Sequence, residues 1–247
     1  LEIRVLNRDT HELTFVLSTP VTPRVALQPR IAIVIDDLGS KDKISQELLR
    51  WDLPVTLAIL PFTPFAKTLA EEAHRLGKEI ILHLPMEPQG YPQVRPGEGA
   101  LLEEMSDAKL LHQLARDIEG VPYITGVSNH MGSRLMEEPE KIKVIFSELK
   151  KRGLFFLDSR TTPQTVGLQV AQSVGLKAME RSVFIDNSST EEDIERQLEQ
   201  LIQIALSKGK AIGIGHPHAS TLKAIKKMIP ELKEKGIEVV SLSVLME

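Results

Sequence analysis

The sequence of 247 residues contains no cysteine, and this absence excludes several kinds of site. A disulfide framework, a thiol nucleophile and a thiolate zinc site all require cysteine, so the chain holds none of them. Phe, Trp and Tyr together make up only 4% of the residues, which is little for a flat surface that stacks on sugars. A metal site in this chain would therefore use oxygen and imidazole ligands.

Long apolar runs and a strong charge bias are also missing. No apolar stretch approaches the roughly 20 residues that a transmembrane helix needs, so we expect no membrane span. The formal net charge is −4 and both signs are mixed along the chain, which argues against binding to nucleic acid. Because the first residue is Leu1 rather than Met, we expect that an N-terminal piece is missing, with room for a signal peptide or an anchor.

The first 29 residues differ from the rest of the chain. They contain Pro20, Pro23 and Pro29 together with short apolar alternations, and they show no helical period. We predict that residues 1–29 form a β-rich appendage or linker and that residues 30–247 form one domain. The alternative is that residues 1–29 are the remnant of an upstream domain.

From about residue 30 onward, strand-like and helix-like segments alternate. An amphipathic helix, a basic last turn, a glycine and a β-rich run recur four times, and a weaker copy spans residues 173–179. A glycine at that place suits the left-handed backbone that ends a helix. Since strands separated by helices form right-handed crossovers, we predict an α/β fold, a barrel of seven or eight mostly parallel strands. The predicted strands are 31–36, 55–60, 79–84, 124–129, 154–158, 182–186, 211–216 and 237–244.

The first predicted strand ends in two adjacent carboxylates. Residues 31–40 read IAIVIDDLGS, and the unbroken apolar run is typical of a strand that is buried on both faces. Ligands bind at the carboxyl ends of parallel strands, so Asp36 and Asp37 indicate a metal site, a general base or both. Successive strand residues point to opposite sides, so we expect only one of them to face an ion. The alternative is that one carboxylate caps the next helix and the other is solvated.

Polar side chains follow several other predicted strands, and four of the seven histidines are among them. A lone histidine at a strand end is more often structural. Histidines on three strands, beside an Asp-Asp pair, are typical of a site for zinc or another divalent ion. Asp37, His83 and His130 would supply three ligands and leave a fourth position open. Glu87 lies four residues after His83 and is a reserve ligand, because the two would share a face on a helical turn.

Five motifs together resemble a known family. They are IAIVIDDLG, HLPMEP, SNHMGSR, FLDSRTT and GIGHPH, and over roughly residues 30–245 they resemble the divergent polysaccharide deacetylases (YibQ-like), which are related to NodB-type carbohydrate esterases. The resemblance implies a distorted (β/α) barrel and a divalent metal, with Zn2+ favoured. It implies removal of N-acetyl groups from an amino-sugar polysaccharide or oligosaccharide of the cell envelope. It also implies a bacterial protein outside the cytoplasm, either periplasmic, secreted or anchored to the envelope.

The resemblance assigns roles to individual residues. Asp36 corresponds to the family's general base and Asp37 to its metal-binding aspartate. His83 corresponds to the first metal-binding histidine, and His216 to the histidine that acts as an acid. In the amide hydrolysis that these roles imply, Asp36 would take a proton from the attacking water, and His216 or His218 would protonate the leaving nitrogen.

The chain also departs from the ordinary deacetylases. Glu87 stands where those enzymes have a second histidine, and Asn129-His130 stands in place of their Arg-Pro-Tyr-type motif. Their later Asp-Trp element is not visible. We therefore predict that His130 supplies the missing ligand. Further candidates for the site are Asn129, Arg134, Asp158, Arg160 and His218, of which Asp158 and Arg160 would orient the reacting groups.

Two other functions stay open at this point. One is a metal-dependent hydrolase of a different bond, such as a phosphoester, but no glycine-rich phosphate loop joins a strand to a helix here. The other is a catalytically decayed carbohydrate-binding or envelope scaffold protein of the same fold. The changed motifs favour decay, whereas the retained Asp-Asp pair and histidines oppose it.

Overall fold

The computed structural model describes residues 28–40, 43–188 and 190–247. Of the predicted N-terminal appendage, residues 1–27 lie outside the described residues, so the predicted domain division stays a prediction. The strands in the described ranges are β1 (Arg30–Leu38), β2 (Thr56–Ile59), β3 (Glu79–Met86), β4 (Gly126–Met131), β5 (Phe155–Asp158), β6 (Ala178–Glu180), β7 (Val183–Phe184), β8 (Lys210–Gly215) and β9 (Glu238–Val240).

Helices lie between most of these strands. They are α1 (Lys43–Leu49), α2 (Ala66–Arg75), α3 (Asp107–Gly120), α4 (Pro139–Lys151), α5 (Gly167–Val174), α6 (Glu191–Lys208), α7 (Ala219–Glu234) and α8 (Leu242–Leu245), with a 3-10 turn at Leu135–Glu137. Within the described ranges, none of them combines the length and the apolar character that crossing a bilayer requires.

The strands form one curled sheet in which every pair is parallel. The order is β6-β5-β4-β3-β2-β1-β8-β7, and β9 pairs with the first residues of β1. The predicted α/β fold with a barrel-like parallel sheet is confirmed. In a parallel sheet all strand ends of one kind lie at one edge, so the residues that follow β1, β3, β4 and β8 share a rim.

The two ends of the strand order meet in one short stretch of chain. Only Arg181 and Ser182 separate β6 from β7. The backbone N–H of Arg181 donates to the carbonyl of Asp158 in β5, at 3.0 Å, whereas the N–H of Ser182 donates to the carbonyl of Ile212 in β8, at 2.8 Å. The chain therefore leaves one edge of the sheet and joins the other between two consecutive residues, which brings the edges of the curled sheet together.

The apolar run of β1 is buried on both faces, as predicted. Ile31, Ile33 and Ile35 belong to the large core that the sheet forms with the surrounding helices. Ala32 and Val34 belong to a second core that contains no residue of α1–α7 and therefore fills the interior of the curled sheet. The alternation of strand side chains thus divides one uninterrupted apolar run between two cores.

Two strand predictions need correction. The predicted strand 237–244 is extended only over Glu238–Val240, and the chain then turns into α8. Leu242 and Leu245 of that helix pack with the interior core, so α8 covers the sheet interior at the amino-terminal ends of the strands. Strand β6 was absent from the predicted strands, although the weak helix-glycine-strand pattern at 173–179 leads directly into it.

Candidate metal centre

A bulge at the end of β1 places two carboxylates on the same side of the strand. Ile35 pairs with Leu57 and Leu38 pairs with Ile59, so three steps along β1 oppose two steps along β2. Asp37 carries the extra turn with a φ of 57°, in the left-handed region that few residues adopt. The expectation that adjacent strand residues face opposite sides is therefore wrong here, because it assumes a regular strand.

Both carboxylates lie against one imidazole nitrogen. Asp37 Oδ1 is 3.2 Å from His83 Nε2, and Asp36 Oδ2 is 3.6 Å from the same atom. Because His83 lies on β3, two strands away from β1, this contact spans the rim of the sheet. The left-handed backbone of Asp37 is strained. Such strain persists only where the surrounding structure enforces it, and it occurs preferentially at functional sites.

A second imidazole completes a group of three candidate ligands. His130 lies on β4 opposite Pro85, and its Nδ1 is 2.9 Å from Asp37 Oδ1 and 3.2 Å from His83 Nε2. These three residues, Asp37, His83 and His130, form the group in the described part of the chain that could hold a metal ion. We call them the ligand triad.

The size of the ligand triad fits a first-row divalent ion. Its three atoms lie 2.9–3.2 Å apart. A triangle of that size has points about 2.0–2.1 Å from all three corners, which is the usual zinc–nitrogen and zinc–oxygen distance. Among the described residues, Asp37 Oδ1 makes no well-aligned hydrogen bond despite its two close nitrogens. An anionic oxygen and two imidazole nitrogens are also the donor set that zinc binds.

Electrostatics separates the roles of the two aspartates. Burial raises the pKa of the Asp37 carboxyl, but the neighbouring His130 and His83 imidazoles outweigh burial and bring the pKa below its usual range. Asp37 is therefore an anion at neutral pH, as a ligand must be. Burial raises the pKa of Asp36, which is only 2% exposed. Its Oδ1 has no hydrogen-bond partner among the described residues, so this oxygen is left available at the centre.

The ring of His83 is fixed from its other side by a serine. His83 Nδ1 lies 2.8 Å from Ser128 Oγ, and Ser128 is directly paired with His83 in the β3–β4 register. The sequence analysis did not single out Ser128. The available signal was its position two residues before His130, which puts both side chains on the same face of β4.

A histidine–aspartate pair lies beside the ligand triad. His216 Nε2 is 4.0 Å from Asp37 Oδ2, and His216 Nδ1 is 2.8 Å from Asp186 Oδ1. The other oxygen of Asp186 accepts hydrogen bonds from the His216 backbone N–H and from Thr221 Oγ1, both at 2.7 Å. The hydrogen bond to Asp186 raises the pKa of His216, which favours a protonated imidazole next to the centre. Asp186 is the last residue of the predicted strand 182–186, but it was not among the residues predicted for the site.

Glu87, the predicted reserve ligand, lies elsewhere. Its Oε2 accepts a hydrogen bond from the backbone N–H of Glu103 at 2.6 Å, and its Oε1 is 3.3 Å from Arg134 Nε. Arg134 also pairs with the Glu103 carboxylate. Strand β3 runs on to Met86 without a helical turn, so four residues of extended chain separate His83 from Glu87 by about 13 Å. The prediction that the two share a helical face is wrong.

Asn129 and Asp158 hold the loops around the centre. Asn129 Oδ1 accepts from the backbone N–H of Ser159, and its Nδ2 donates to the Met131 carbonyl, both at 2.8 Å. Asp158 accepts from Thr165 Oγ1 at 2.6 Å and from the backbone N–H of Arg160 at 2.7 Å. These contacts tie the loop after β5 to the end of β4.

The two remaining candidates sit at the edge of the site. The Arg160 guanidinium pairs with Glu180 at 2.7 Å, so it faces β6 and not the ligand triad. His218 is exposed immediately before α7, and its ring centroid lies 6.1 Å from that of His216. His216 is therefore the better placed of the two histidines to act as an acid.

Comparison with known proteins shows the family of the chain. A family model described as divergent polysaccharide deacetylase matches residues 33–246. The Escherichia coli protein YibQ, described as uncharacterised, is 34% identical over 216 residues, which are 87% of this chain and 66% of YibQ. The chain thus spans just under two thirds of the length of that relative.

Solved structures give the same result for the fold. An uncharacterised protein from Agrobacterium tumefaciens superposes with a TM-score of 0.84 at 33% identity, over 90% of each chain. The catalytic domain of a peptidoglycan N-acetylglucosamine deacetylase from Eubacterium rectale superposes with a TM-score of 0.51 at 12% identity, over 87% of this chain and 88% of that one. At such low identity the second match shows a shared fold only.

Proposed function

The chain belongs to the divergent polysaccharide deacetylase family, and we propose that it is a metal-dependent hydrolase. The proposed reaction removes N-acetyl groups from an amino-sugar polysaccharide or oligosaccharide of the cell envelope. The observation that carries the proposal is the ligand triad, with the Asp36 carboxylate 3.6 Å from its His83 and the His216–Asp186 pair beside it.

The ligand triad would hold the ion, and we propose Zn2+ on the basis of the donor set. When bound, such an ion activates water and polarises an acyl carbonyl. The balanced reaction joins the oxygen of water to the acetyl carbon, breaks the carbon–nitrogen bond and releases acetate and a free amine.

The residues of this chain move the protons of that reaction. Asp36, with its unpartnered and buried Oδ1, accepts a proton from water. His216, which its contact with Asp186 favours in the protonated form, gives a proton from Nε2 to the leaving nitrogen. Asp186 and Thr221 keep the His216 ring in place, because one carboxylate binds both the ring and the backbone of His216.

The direct test is metal content together with acetate release. Protein purified without chelator should contain close to one zinc per chain, and N-acetylglucosamine oligomers and cell-wall glycan should release acetate with it. A protein that binds glycan without releasing acetate, with zinc bound, would instead support the decayed carbohydrate-binding or scaffold function. A protein that binds neither zinc nor glycan would contradict both functions.

We also propose a location outside the cytoplasm, since the polymers that such enzymes act on belong to the envelope. The proposal is supported by the family and by the absence of cysteine, which makes the chain indifferent to an oxidising compartment. Fractionation of cells that express the protein from its own gene should recover it with the envelope or the periplasm. Recovery in the cytoplasmic fraction alone would contradict this location.

A further inference from the structure

We infer that Ser128 is a positioning residue for the candidate metal centre, because its buried hydroxyl bonds to His83 Nδ1 and holds the ring with Nε2 toward Asp37 and His130. This inference rests on the proposed metal-dependent function. It goes beyond the ligand triad itself, since Ser128 would contact neither the ion nor the substrate.

The strand register creates the contact. His83 on β3 and Ser128 on β4 are direct partners in the parallel ladder, and both side chains point to the rim of the sheet interior. Ser128 is fully buried and His83 is 2% exposed. His83 Nδ1 lies 2.8 Å from Ser128 Oγ, so the pair forms a hydrogen bond that water does not reach.

The chemistry of a neutral imidazole makes this bond decisive. One ring nitrogen carries a hydrogen and the other offers a lone pair, and only the lone pair can bind a metal. His83 Nε2 faces Asp37 and His130, so an ion held by the ligand triad would require the hydrogen of His83 to reside on Nδ1. The hydroxyl oxygen of Ser128 would then accept that hydrogen. Without Ser128, this buried N–H would have no acceptor in the side chain beside it, which would weaken metal binding.

His130 provides an internal contrast. It approaches the ligand triad through Nδ1, not Nε2, and its side chain is 17% exposed against 3% for His83. Solvent can therefore satisfy the second nitrogen of His130, whereas the second nitrogen of His83 depends on Ser128. Of these two histidines, His83 is the one that needs a protein group to satisfy its second nitrogen.

The first experiment measures zinc affinity in three variants by competition with a chromophoric chelator. Ser128→Ala should weaken zinc binding by about 10–100-fold, the usual effect of removing a group that orients a metal ligand. Ser128→Thr keeps a hydroxyl and should bind zinc within a few fold of the unchanged protein. The matched control is Ser159→Ala, because Ser159 is a buried serine after β5 whose Oγ contacts no ligand and has no partner among the described residues.

The second experiment uses NMR of the zinc-loaded protein. The Nδ1–H of His83 should give a proton signal at the chemical shift of a hydrogen-bonded imidazole, and Ser128→Ala should shift or broaden that signal. A merely structural serine would lower the thermal stability and leave zinc affinity and this signal unchanged, which would overturn the inference. So would a His83 that binds zinc through Nδ1.

These results separate the inference from the proposed function. If zinc affinity and the His83 signal change as expected while no substrate releases acetate, the hydrolase function fails and the role of Ser128 stands. If acetate is released and Ser128→Ala binds zinc as tightly as the unchanged protein, the role of Ser128 fails and the hydrolase function stands.

Discussion

Each end of the sheet holds a carboxylate near the first strands, Glu79 at one end and Asp36 at the other. These two carboxylates differ in how many hydrogen bonds they accept. At the amino-terminal end, Glu79 accepts from Thr56 Oγ1 at 2.7 Å, from Thr125 Oγ1 at 3.3 Å and from the backbone N–H of Ser243 at 3.1 and 3.2 Å. At the carboxyl-terminal rim, Asp36 is buried and its Oδ1 has no partner in the described part of the chain.

This difference separates a structural acid from the acid proposed to act in catalysis. The oxygens of Glu79 are used to join β2, β3, β4 and the first residues of α8, so nothing is left for chemistry. An unpaired buried oxygen costs free energy, and at the rim a bound ion or a reacting group would offset that cost for Asp36. The contrast therefore predicts that changes at the rim affect function and that changes at the other end affect stability.

Asp37→Asn should have the largest effect. Loss of the anionic ligand should lower zinc affinity by at least about 100-fold and abolish acetate release, because the two imidazoles alone provide no charge to hold the ion. Metal analysis and acetate release measured together check this result. Asp52→Asn, a change of the same kind at an exposed position, should alter neither. Full zinc binding by Asp37→Asn would remove Asp37 from the ligand triad.

Asp36→Asn should separate metal binding from catalysis. An amide keeps the size of the side chain but cannot accept a proton, so zinc should be retained while kcat falls by about 10²–10⁴-fold. The two measurements are zinc content and the rate of acetate release, taken beside those of Asp37→Asn. Equal loss of zinc in both variants would mean that both carboxylates act as ligands.

Asp186→Asn should change the pH dependence of the rate. The hydrogen bond to Asp186 raises the pKa of His216, and an acid must be protonated to act. Removing the carboxylate charge lowers the pKa of His216, so the alkaline limb of kcat/KM should move to lower pH while zinc affinity stays unchanged. An alkaline limb that does not move would show that His216 is not the acid whose proton limits the rate.

Asp117 is another buried acid, and it lies in helix α3, away from both Glu79 and Asp36. It therefore shows what burial does to a carboxylate. It accepts from Gln113 Nε2 at 2.8 Å, and burial raises its pKa to about 7. The folded state thus holds a proton that the unfolded state releases near pH 4, and stability is lost as pH rises between these values. The stability of Asp117→Asn does not depend on this proton. As pH rises from 5 to 8, its free energy of unfolding should therefore increase by on the order of 3 kcal/mol relative to that of the unchanged protein.

Urea unfolding at several pH values measures that gain. The rate of acetate release per folded molecule should be the same in both proteins, because Asp117 contacts no residue of the ligand triad. A difference between the two proteins that is constant with pH would show that Asp117 does not titrate in this range.

Glu79→Gln should have the smallest effect. Unlike the rim variants, it should lower stability and leave zinc binding and activity unchanged. An amide can replace only part of the bonding that the carboxylate gives to Thr56, Thr125 and Ser243, so the free energy of unfolding should fall by about 1–2 kcal/mol. Zinc affinity and acetate release per folded molecule should not change. A loss of zinc in this variant would mean that the two ends of the sheet are coupled, and the contrast drawn between them would fail.

Much of this fold was predictable because its signals are local. The apolar run of β1 and the glycines after basic helix ends depend only on neighbouring residues, and seven of the eight predicted strands coincide with observed ones. The exception at the carboxyl end arises because Leu242 and Leu245 are apolar both for a strand and for a short helix. Only the space inside the curled sheet selects the helix.

The motifs in the sequence determined which residues meet at the rim: Asp36, Asp37, His83, His130 and His216. Only the tertiary structure decided how they meet. The bulge that turns both aspartates to one side depends on the β1–β2 register. The partners Ser128 and Asp186 lie 45 and 30 residues along the chain from the histidines that they contact. Glu87 follows His83 closely in sequence, yet extended chain carries it away from the centre. Such contacts depend on distances between strands, and no local pattern encodes those distances.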